Sequence, residues 1–246
     1  MNTRLAAVVD RYWAGVFGCP AEALWPATAT VTAHAPDGLG DYRGIYVLAC
    51  GAAVRISVPA PLLAEVSAVV SAGRPGNLLD AAFWRAALGD RIAAVHGPSV
   101  HHYLDAVPRP GVEVREVPAG QLELLRSACP EADWTEGGFG EPDGRCFGRW
   151  VDGSLVAAGN LTLWRGQPSD VGLVTHPDHR GRGYAGEVAR HVTRVAVETA
   201  GVARYRALTT NTASLAVARR LGFSEYGRNI GIRLTPLWAS AIRPRE

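Results

Sequence analysis

A run of histidines, arginines and glycines at residues 176–187 is the segment of this 246-residue chain best suited to chemistry, and it reads HPDHRGRGYAGE. Gly181, Gly183 and Gly186 match the pattern G-x-G-x-x-G, and glycines allow a bulky diphosphate to approach the backbone closely. An amphipathic pattern follows, so the N–H groups at the start of the predicted helix would also attract an anion. The segment therefore predicts a phosphate-binding site.

The surroundings of these glycines argue against a dinucleotide-binding fold. That fold needs its first glycine directly after a strand and a carboxylate about 20 residues later. Here residues 176–180 separate the preceding predicted strand from Gly181, and the strand after the helix ends in ALTTN at 207–211, without an acid. A Walker loop needs a lysine, and all 25 basic residues of this chain are arginine. A nicotinamide-dependent enzyme is thus supported only by the spelling of the motif.

Residues 175–185, THPDHRGRGYA, resemble the acetyl-CoA signature of the GNAT superfamily of N-acetyltransferases. The core of that signature, R/Q-x-x-G-x-G/A, is matched by Arg180, Gly183 and Ala185. A second resemblance lies at NTAS, residues 211–214, followed by LGF at 221–223 at the family's spacing. The likeness covers about the C-terminal half of the chain. It implies an N-acetyltransferase that moves an acetyl group from acetyl-CoA to a primary amine of a small molecule or a protein.

The same resemblance implies which residues bind acetyl-CoA, the co-substrate. Backbone groups of the strand before the motif would pair with the pantetheine arm, and amides of the glycine run would hold the pyrophosphate. Arg180 and Arg182 would supply positive charge, and Asn211 would bond the cofactor near its thiol end or cap the next helix. The implied cofactor residues are Leu173, Val174, Thr175, Arg180, Gly181, Arg182, Gly183, Tyr184, Ala185, Gly186 and Asn211.

The sequence assigns no catalytic residue. Many GNAT enzymes place a tyrosine seven residues after the asparagine to protonate the CoA thiolate, and here that position is Ala218. Tyr184, Tyr205 or Tyr226 could substitute for it from elsewhere in the chain. The missing tyrosine also supports a second function, a non-catalytic acyl-CoA-binding sensor.

An acidic segment at 130–145 lies where the GNAT family builds its acceptor site. We expect its carboxylates to attract a cationic amine, although a solvated loop explains the same composition. A catalytic base could be Glu131 or Asp133 of this segment, or Asp170, which begins the strand before the glycine run. The acids of the segment, which surround Trp134, are Glu131, Asp133, Glu136, Glu141 and Asp143.

Metal binding is not expected. His176 and His179 have H-x-x-H spacing, but two ligands without a third make a weak site. The four cysteines are widely spaced and form no C-x-x-C pair, so neither a thiolate zinc site nor a structural disulfide is predicted.

The composition predicts a globular protein, because 48% of the residues are hydrophobic and 20% are charged. The net charge is +2 with interleaved acids, so no nucleic-acid partner is indicated. No apolar run approaches the roughly 18 residues of a membrane helix. Asp10 and Arg11 interrupt the first apolar pattern, which is unlike a signal peptide. We therefore expect a cytoplasmic protein without a membrane partner, as a monomer or a homodimer.

Two domains are predicted on either side of PRPG at 108–111, since neither proline can lie inside a helix or a central strand. Residues 1–107 should form a smaller mixed α/β domain of unknown role, loosely similar to the degenerate acetyltransferase-like domain of glycine-acyltransferase-type proteins. A substrate-gripping lobe and a dimerisation surface are the alternatives. Residues 111–246 predict the order β-α-β-β-β-α-β-α-β, an α/β (α+β) mixed sheet with helices, which agrees with the GNAT-like acetyl-CoA-binding fold.

Overall fold

The computed structural model of the chain describes residues 1–139, 145–164 and 167–236. These residues form two compact units: the first contains Met1–His101 together with residues 225–236, and the second contains His102–Ser224. The change from the first unit to the second falls inside a strand, between His101 and His102. The domain boundary expected at 108–111 stays a prediction. Within the described ranges, no helix is both long and apolar enough to cross a membrane.

Seven α-helices and ten β-strands lie in the described residues. The helices are α1 Thr3–Phe17, α2 Leu63–Ala72, α3 Ala81–Leu88, α4 Ala119–Ala128, α5 Glu131–Glu136, α6 Tyr184–Ala200 and α7 Thr212–Leu221. The strands are β1 Thr30–Ala33, β2 Gly44–Cys50, β3 Ala53–Val58, β4 Ile92–Leu104, β5 Arg115–Glu116, β6 Arg145–Val151, β7 Ser154–Trp164, β8 Gln167–Thr175, β9 Ala203–Leu208 and β10 Ser224–Leu234.

The strands of the first unit lie in the order β1-β3-β2-β10-β4. Strand β2 is antiparallel to both β3 and β10, and β1 is parallel to β3. Leu5, Val9 and Trp13 recur at helical spacing and are almost fully buried, so this stripe fixes the inner face of α1. Gly18 ends the helix with a φ of 63°, a left-handed conformation that glycine adopts without strain.

The strands of the second unit lie in the order β9-β8-β7-β6-β5. Strands β6, β7 and β8 are antiparallel neighbours, whereas β8 and β9 are parallel. Asp152 and Gly153, with φ angles of 49° and 81°, form the two-residue turn between β6 and β7, and Asp-Gly is a favoured pair in such hairpin turns. Strand β5 is short and holds two residues.

Helices cover both faces of β7 and β8 because successive strand residues point to opposite sides. Ala157 and Val171 lie in one buried cluster with Val188 and Val192 of α6. The next residue along β7, Ala158, lies in a different cluster together with Val174, Leu125 of α4 and Trp134 of α5. The mixed sheet with helices that the sequence predicts is thereby confirmed.

Part of the acidic segment is helical, where the sequence predicts a loop. Residues 131–136 form α5, which follows Pro130 and carries Glu131 and Asp133 in its first turn. Carboxylates near a helix N-terminus are stabilised by the helix dipole, and proline is well tolerated there. The buried side chain of Trp134 anchors this helix in the core. The acidic composition of the segment does not predict such an anchor. Glu141 and Asp143 lie outside the described residues.

Candidate functional site

A gap between two parallel strands forms the centre of the site. Strands β7 and β8 pair from Ala157 opposite Thr175 to Trp164 opposite Gln167. Strands β8 and β9 pair at one position among the described residues, where Asp170 lies opposite Arg204. Beyond Asp170 the described residues of the two strands have no paired positions, and residues 171–175 of β8 line a cleft together with Tyr205 and Arg206 of β9. Such a strand edge can pair with another extended chain.

The glycine run lies at the end of this gap. Strand β8 ends at Thr175, a short 3-10 helix spans Pro177–His179, and α6 begins at Tyr184. Gly181 and Gly183 have φ angles of 76° and 88°, which side-chain-bearing residues rarely adopt. Gly183 is the N-cap of α6, and no side chain among the described residues caps that first turn. Its leading N–H groups are therefore left for an anion.

A cleft of about 480 Å³ joins the gap to the glycine run. Its lining includes all the predicted cofactor residues except Arg182, whose guanidinium donates a hydrogen bond of 3.3 Å to the carbonyl of Asp178. The predicted residues brought together there are Leu173, Val174, Thr175, Arg180, Gly181, Gly183, Tyr184, Ala185, Gly186 and Asn211. Their assignment to acetyl-CoA stays a prediction, and so does that of Arg182.

Arg180 connects the end of β8 to α5. Its Nε donates to the carbonyl of Thr175 at 3.4 Å, and its Nη2 lies 2.5 Å from Oδ2 of Asp133. Both side chains of this ion pair are about half exposed, at 49% and 40%. Solvent therefore weakens the pair, and a stronger anion can displace the carboxylate from the guanidinium.

Asn211 has two bonded roles. Its Oδ1 accepts a 3.0 Å hydrogen bond from the amide of Ser214, so the side chain caps α7. Its Nδ2 donates to Oε1 of Glu136 at 2.9 Å. Two carboxylates of α5 therefore contact predicted cofactor residues: Asp133 contacts Arg180, and Glu136 contacts Asn211.

Close backbone packing fixes α5 over the cleft. The buried Asn160 side chain donates from Nδ2 to the carbonyl of Gly137 at 3.1 Å, directly after α5. A Cβ atom on Gly172 of β8 would lie 1.9 Å from the same carbonyl oxygen. Only glycine at position 172 permits this approach, because any larger residue would push α5 away from the strand.

Asp170, a candidate base in the sequence, forms an ion pair with the buried side chain of Arg204. The carboxylate of Asp170 accepts two hydrogen bonds from the guanidinium of Arg204, at 3.2 and 2.5 Å, and Arg204 is 2% exposed. Burial by itself raises the pKa of the Asp170 carboxyl, but the charge and hydrogen bonds of Arg204, with the charge of Arg206, hold that pKa below its usual value. A carboxylate held ionised by such a partner is a poor proton acceptor.

The tyrosines divide between the two units. Tyr226 belongs to the first unit, where its hydroxyl donates to Asp10 at 2.7 Å. Tyr184 and Tyr205 both line the cleft of the second unit. Tyr205 is almost fully buried, and this burial raises the pKa of its hydroxyl to about 12 despite a hydrogen bond with Ser214. Ala218 is fully buried in the core beside α6 and does not belong to the cleft lining.

The histidine pair of the motif has its rings 5.4 Å apart, and His179 lines the cleft. In the described part of the chain, no three His, Cys, Asp or Glu side chains converge as metal ligands would. Cys19, Cys50, Cys129 and Cys146 are all free thiols.

Sequence reasoning did not assign several cleft residues, chiefly on β9 and α7. The spacing of the α7 residues is helical, and periodicity alone identifies them as one face of that helix. It does not show that this face borders a cleft rather than a core. The unassigned lining residues of β9 and α7 are Arg206, Ala213, Ser214, Ala216, Val217 and Arg220, and Tyr205 was named only as one possible substitute tyrosine.

The model of the Acetyltransferase (GNAT) family matches residues 112–223. All residues that line the cleft lie inside this match. The resemblance predicted from the glycine run and the Asn211 motif is therefore confirmed for this part of the chain. No curated protein matches the sequence significantly.

The solved structures that match parts of this chain share little sequence with it. An acetyltransferase from the GNAT family of Colwellia psychrerythraea is 22% identical over 62% of this chain and 61% of its own, with a TM-score of 0.45. A GCN5-related N-acetyltransferase from Kribbella flavida is 20% identical over 59% of each chain, with a TM-score of 0.38. An aminoglycoside N-acetyltransferase in complex with CoA is 21% identical over 46% of this chain and 92% of its own, with a TM-score of 0.35. The chain thus spans about three fifths of the length of the first two structures.

Proposed function

We propose that this chain, in which residues 112–223 are an acyltransferase domain of the GNAT family, moves an acetyl group from acetyl-CoA to a primary amine. The acceptor is a small molecule or an exposed amino group of a protein. The amine attacks the thioester carbon directly, water or a nearby base takes its proton, and CoA leaves as a thiolate. No metal takes part in this proposal.

One observation carries the proposal: the unpaired edge of β8 leads straight to the uncapped start of α6. An extended pantetheine arm would add to β8 beyond Asp170, as a strand adds to a sheet edge. The pyrophosphate would then meet the amides that follow Gly181 and Gly183, whose open surroundings leave room for it. Residues 173–175 are continuous with this loop, so one cofactor spans both features.

The acceptor would enter beside α5. Asp133 and Glu136 line the cleft, whereas Glu131 of the same helix does not. We propose that the two cleft carboxylates attract a cationic amine, because carboxylates that line a cleft raise the local concentration of a cation. Asp133 becomes available for this role once a diphosphate takes its place on Arg180.

Calorimetric titration with acetyl-CoA and, separately, with NAD tests the cofactor. Heat with acetyl-CoA and none with NAD is the expected result. Release of free CoA is then followed across a panel of mono-, di- and polyamines, amino acids and peptides. An absence of heat with acetyl-CoA would refute the proposal.

A non-catalytic acyl-CoA sensor is the alternative, and the burial of Ala218 in the core is the observation that favours it. A sensor would bind acetyl-CoA with normal affinity and release no CoA with any amine of the panel. Turnover with even one acceptor, at a rate above the hydrolysis of acetyl-CoA in buffer, excludes the sensor.

The role of residues 1–107 is a separate proposal. They would form a degenerate acetyltransferase-like domain, or a surface that grips the acceptor or a second copy of the chain. Sedimentation of the full chain with and without acetyl-CoA tests the last of these, since a dimerisation surface requires a species of twice the mass of 26.1 kDa.

A further inference from the structure

We infer that Tyr205 donates the hydrogen bond that stabilises the thiolate of CoA as it leaves, in place of a tyrosine at position 218. This inference rests on the proposed acetyl transfer and names a residue for its last step. The observation behind it is the position of the Tyr205 hydroxyl at the junction of β9, α7 and the cleft.

The side chain of Tyr205 is held rigidly. It is 1% exposed, and its ring lies edge-on to that of Phe223 at a centroid distance of 5.5 Å. Its neighbours on the same face of β9, Ala203 and Ala207, are small and belong to the same buried cluster. A donor that is fixed before the reaction needs no reorganisation when negative charge develops.

The hydroxyl of Tyr205 contacts α7 at Ser214, one helical turn before Ala218. Its oxygen is 2.9 Å from Oγ of Ser214, and both residues line the cleft. Ser214 and Ala218 are four residues apart and therefore lie on one side of α7. A hydroxyl from β9 thus reaches α7 at a cleft-lining residue one helical turn from position 218.

Ser214 orients this hydroxyl. Its amide is bound by Oδ1 of Asn211, which fixes the first turn of α7. A serine hydroxyl can donate to the oxygen of Tyr205, and the O–H of Tyr205 then remains for an acceptor in the cleft. The side chain of Asn211 thus holds the backbone of Ser214, and the hydroxyl of Ser214 holds that of Tyr205.

The chemistry requires a hydrogen bond rather than a proton transfer. When the amine nitrogen has bonded to the carbonyl carbon, the C–S bond breaks and its electron pair moves to sulfur. The pKa of Tyr205 is raised to about 12 by burial, whereas an ordinary thiol has a pKa of about 8.5. Tyr205 therefore keeps its proton and donates a hydrogen bond to the sulfur anion, which leaves as a thiolate and takes a proton from water.

The other tyrosines in question do not fit this role. Tyr184 begins α6, beside the glycine run that the pyrophosphate would occupy. Tyr226 is bonded to Asp10 in the first unit. Tyr226 therefore supplies a matched control, since it is a buried tyrosine whose hydroxyl is also hydrogen-bonded.

The first test is Tyr205→Phe, which removes the hydroxyl and keeps the ring. A hydrogen bond to a charged group accounts for about a 10- to 100-fold fall in kcat, while the KM for acetyl-CoA should change less than about twofold. Tyr226→Phe should leave both constants unchanged. Ser214→Ala, which keeps the tyrosine and removes its orienting partner, should lower kcat in the same direction by a smaller factor.

The second test needs no turnover. Bound CoA is titrated by the ultraviolet absorbance of its thiolate, with the desulfo-CoA complex as the blank for the protein's own thiols. A donor aimed at the sulfur stabilises the thiolate, so the thiol of CoA should titrate about one to two pH units lower in the wild type than in Tyr205→Phe. The Tyr226→Phe protein should titrate like the wild type.

The outcomes separate the inference from the function beneath it. If the wild type binds no CoA, both the proposed function and this inference are wrong. If it binds CoA and acetylates an amine, but Tyr205→Phe or Ser214→Ala titrates and turns over as the wild type does, the inference alone is overturned.

Discussion

At the scale of single residues, the charges beside the cleft are set by pairing rather than by composition. Arg204 and Asp170 neutralise each other in the interior, where side-chain exposures are 3% and 18%. Arg180 and Asp133 pair at the surface, at 49% and 40%. The buried pair is costly to break, because a guanidinium in the core would lose its paired carboxylate, whereas the exposed pair contributes little to stability. Asp170 is therefore a structural residue, and Asp133 is available for function.

Asp170→Asn should destabilise the second unit by about 3–5 kcal/mol, since it removes the carboxylate that pairs with the buried guanidinium of Arg204. Urea unfolding followed by fluorescence measures this loss. The exposed Asp178→Asn is the control and should stay within about 0.5 kcal/mol of the wild type. If Asp170→Asn kept full stability and lost only activity, together with the acid limb of the pH–rate profile, Asp170 would be the base after all.

The same pair gives the stability a defined acid dependence. The pKa of Asp170 is held below its ordinary value of 3.8, so its contribution is fully present above that value and is lost as pH falls through the lowered pKa. The difference in unfolding free energy between the wild type and Asp170→Asn should therefore shrink below about pH 4. A difference that stays constant down to pH 2 would contradict the assignment.

At the scale of elements, two helices meet the proposed cofactor with opposite charge. The start of α6 offers unpaired amides, and α5 places carboxylates on Arg180 and Asn211. Both arrangements depend on glycines: positive φ angles precede α6, and a close crossing at Gly172 holds the end of α5. The cleft is thus shaped by backbone as much as by side chains.

Gly183 and Gly186 should respond oppositely to alanine substitution. Gly183 has a φ of 88°, so Gly183→Ala is expected to lose about 1 kcal/mol or more of stability. Gly186 has helical geometry with open space around it, so Gly186→Ala should gain about 0.5–1 kcal/mol.

The affinity for CoA should fall in both Gly183→Ala and Gly186→Ala, because a methyl group at either position would keep the diphosphate away from the backbone. Thermal unfolding and titration with CoA measure the two effects separately. Unchanged CoA affinity in Gly186→Ala would show that the diphosphate binds elsewhere.

Asp133→Asn should tighten CoA binding. The carboxylate of Asp133 competes with a diphosphate for Arg180, and an exposed ion pair of this kind accounts for about a two- to fivefold change in Kd. The KM of a cationic acceptor should rise in the same variant, because one carboxylate of its site is gone. Calorimetry measures the first effect and steady-state kinetics the second.

Glu131→Gln is the matched control for that experiment. It lies on the same helix, its side chain is 75% exposed, and its carboxylate is 3.9 Å from Arg126, away from the cleft. Both constants should stay unchanged in this variant. Weaker CoA binding by Asp133→Asn would mean instead that Asp133 orients Arg180 for the cofactor.

At the scale of the whole molecule, the chain alternates between its two units. It enters the second unit within β4 and returns to the first at β10, which pairs with β2 from Arg228 opposite Ala49 to Arg233 opposite Gly44. The strand nearest the end of the described chain therefore completes the sheet begun at the start. The stability of the first unit depends on residues that lie more than a hundred positions from its other strands.

Ile230→Ala tests this arrangement. The side chain is fully buried in β10, and its truncation should cost the first unit about 2–5 kcal/mol. Amide hydrogen exchange should accelerate in β2 and β3 more than in β7 and β8. Arg228→Ala, an exposed position on the same strand, should change exchange little. Equal acceleration in all four strands would contradict the assignment of β10 to the first unit.

Local sequence alone determined much of this protein. The glycine run, the helix after it and the capping role of Asn211 follow from interactions between residues a few positions apart, and such interactions act in any context. Periodicity likewise identified the buried faces of α1 and α6. Helix α5 was not predicted from the sequence, because its six residues are too few to show a helical pattern. The burial of a single residue, Trp134, holds it in place.

The tertiary structure decided which distant residues share the cleft. Asp133 and Arg180 are 47 positions apart, Glu136 and Asn211 are 75 apart, and Asp170 and Arg204 are 34 apart. Tyr205 was one candidate tyrosine among three until the register of β9 against α7 placed its hydroxyl on Ser214. Hydrophobic periodicity specifies which face of an element is buried, but not the order, register or spacing of the elements that it meets. Those depend on the packing of the whole unit, and the charge pairs and the hydroxyl of this site follow from that packing.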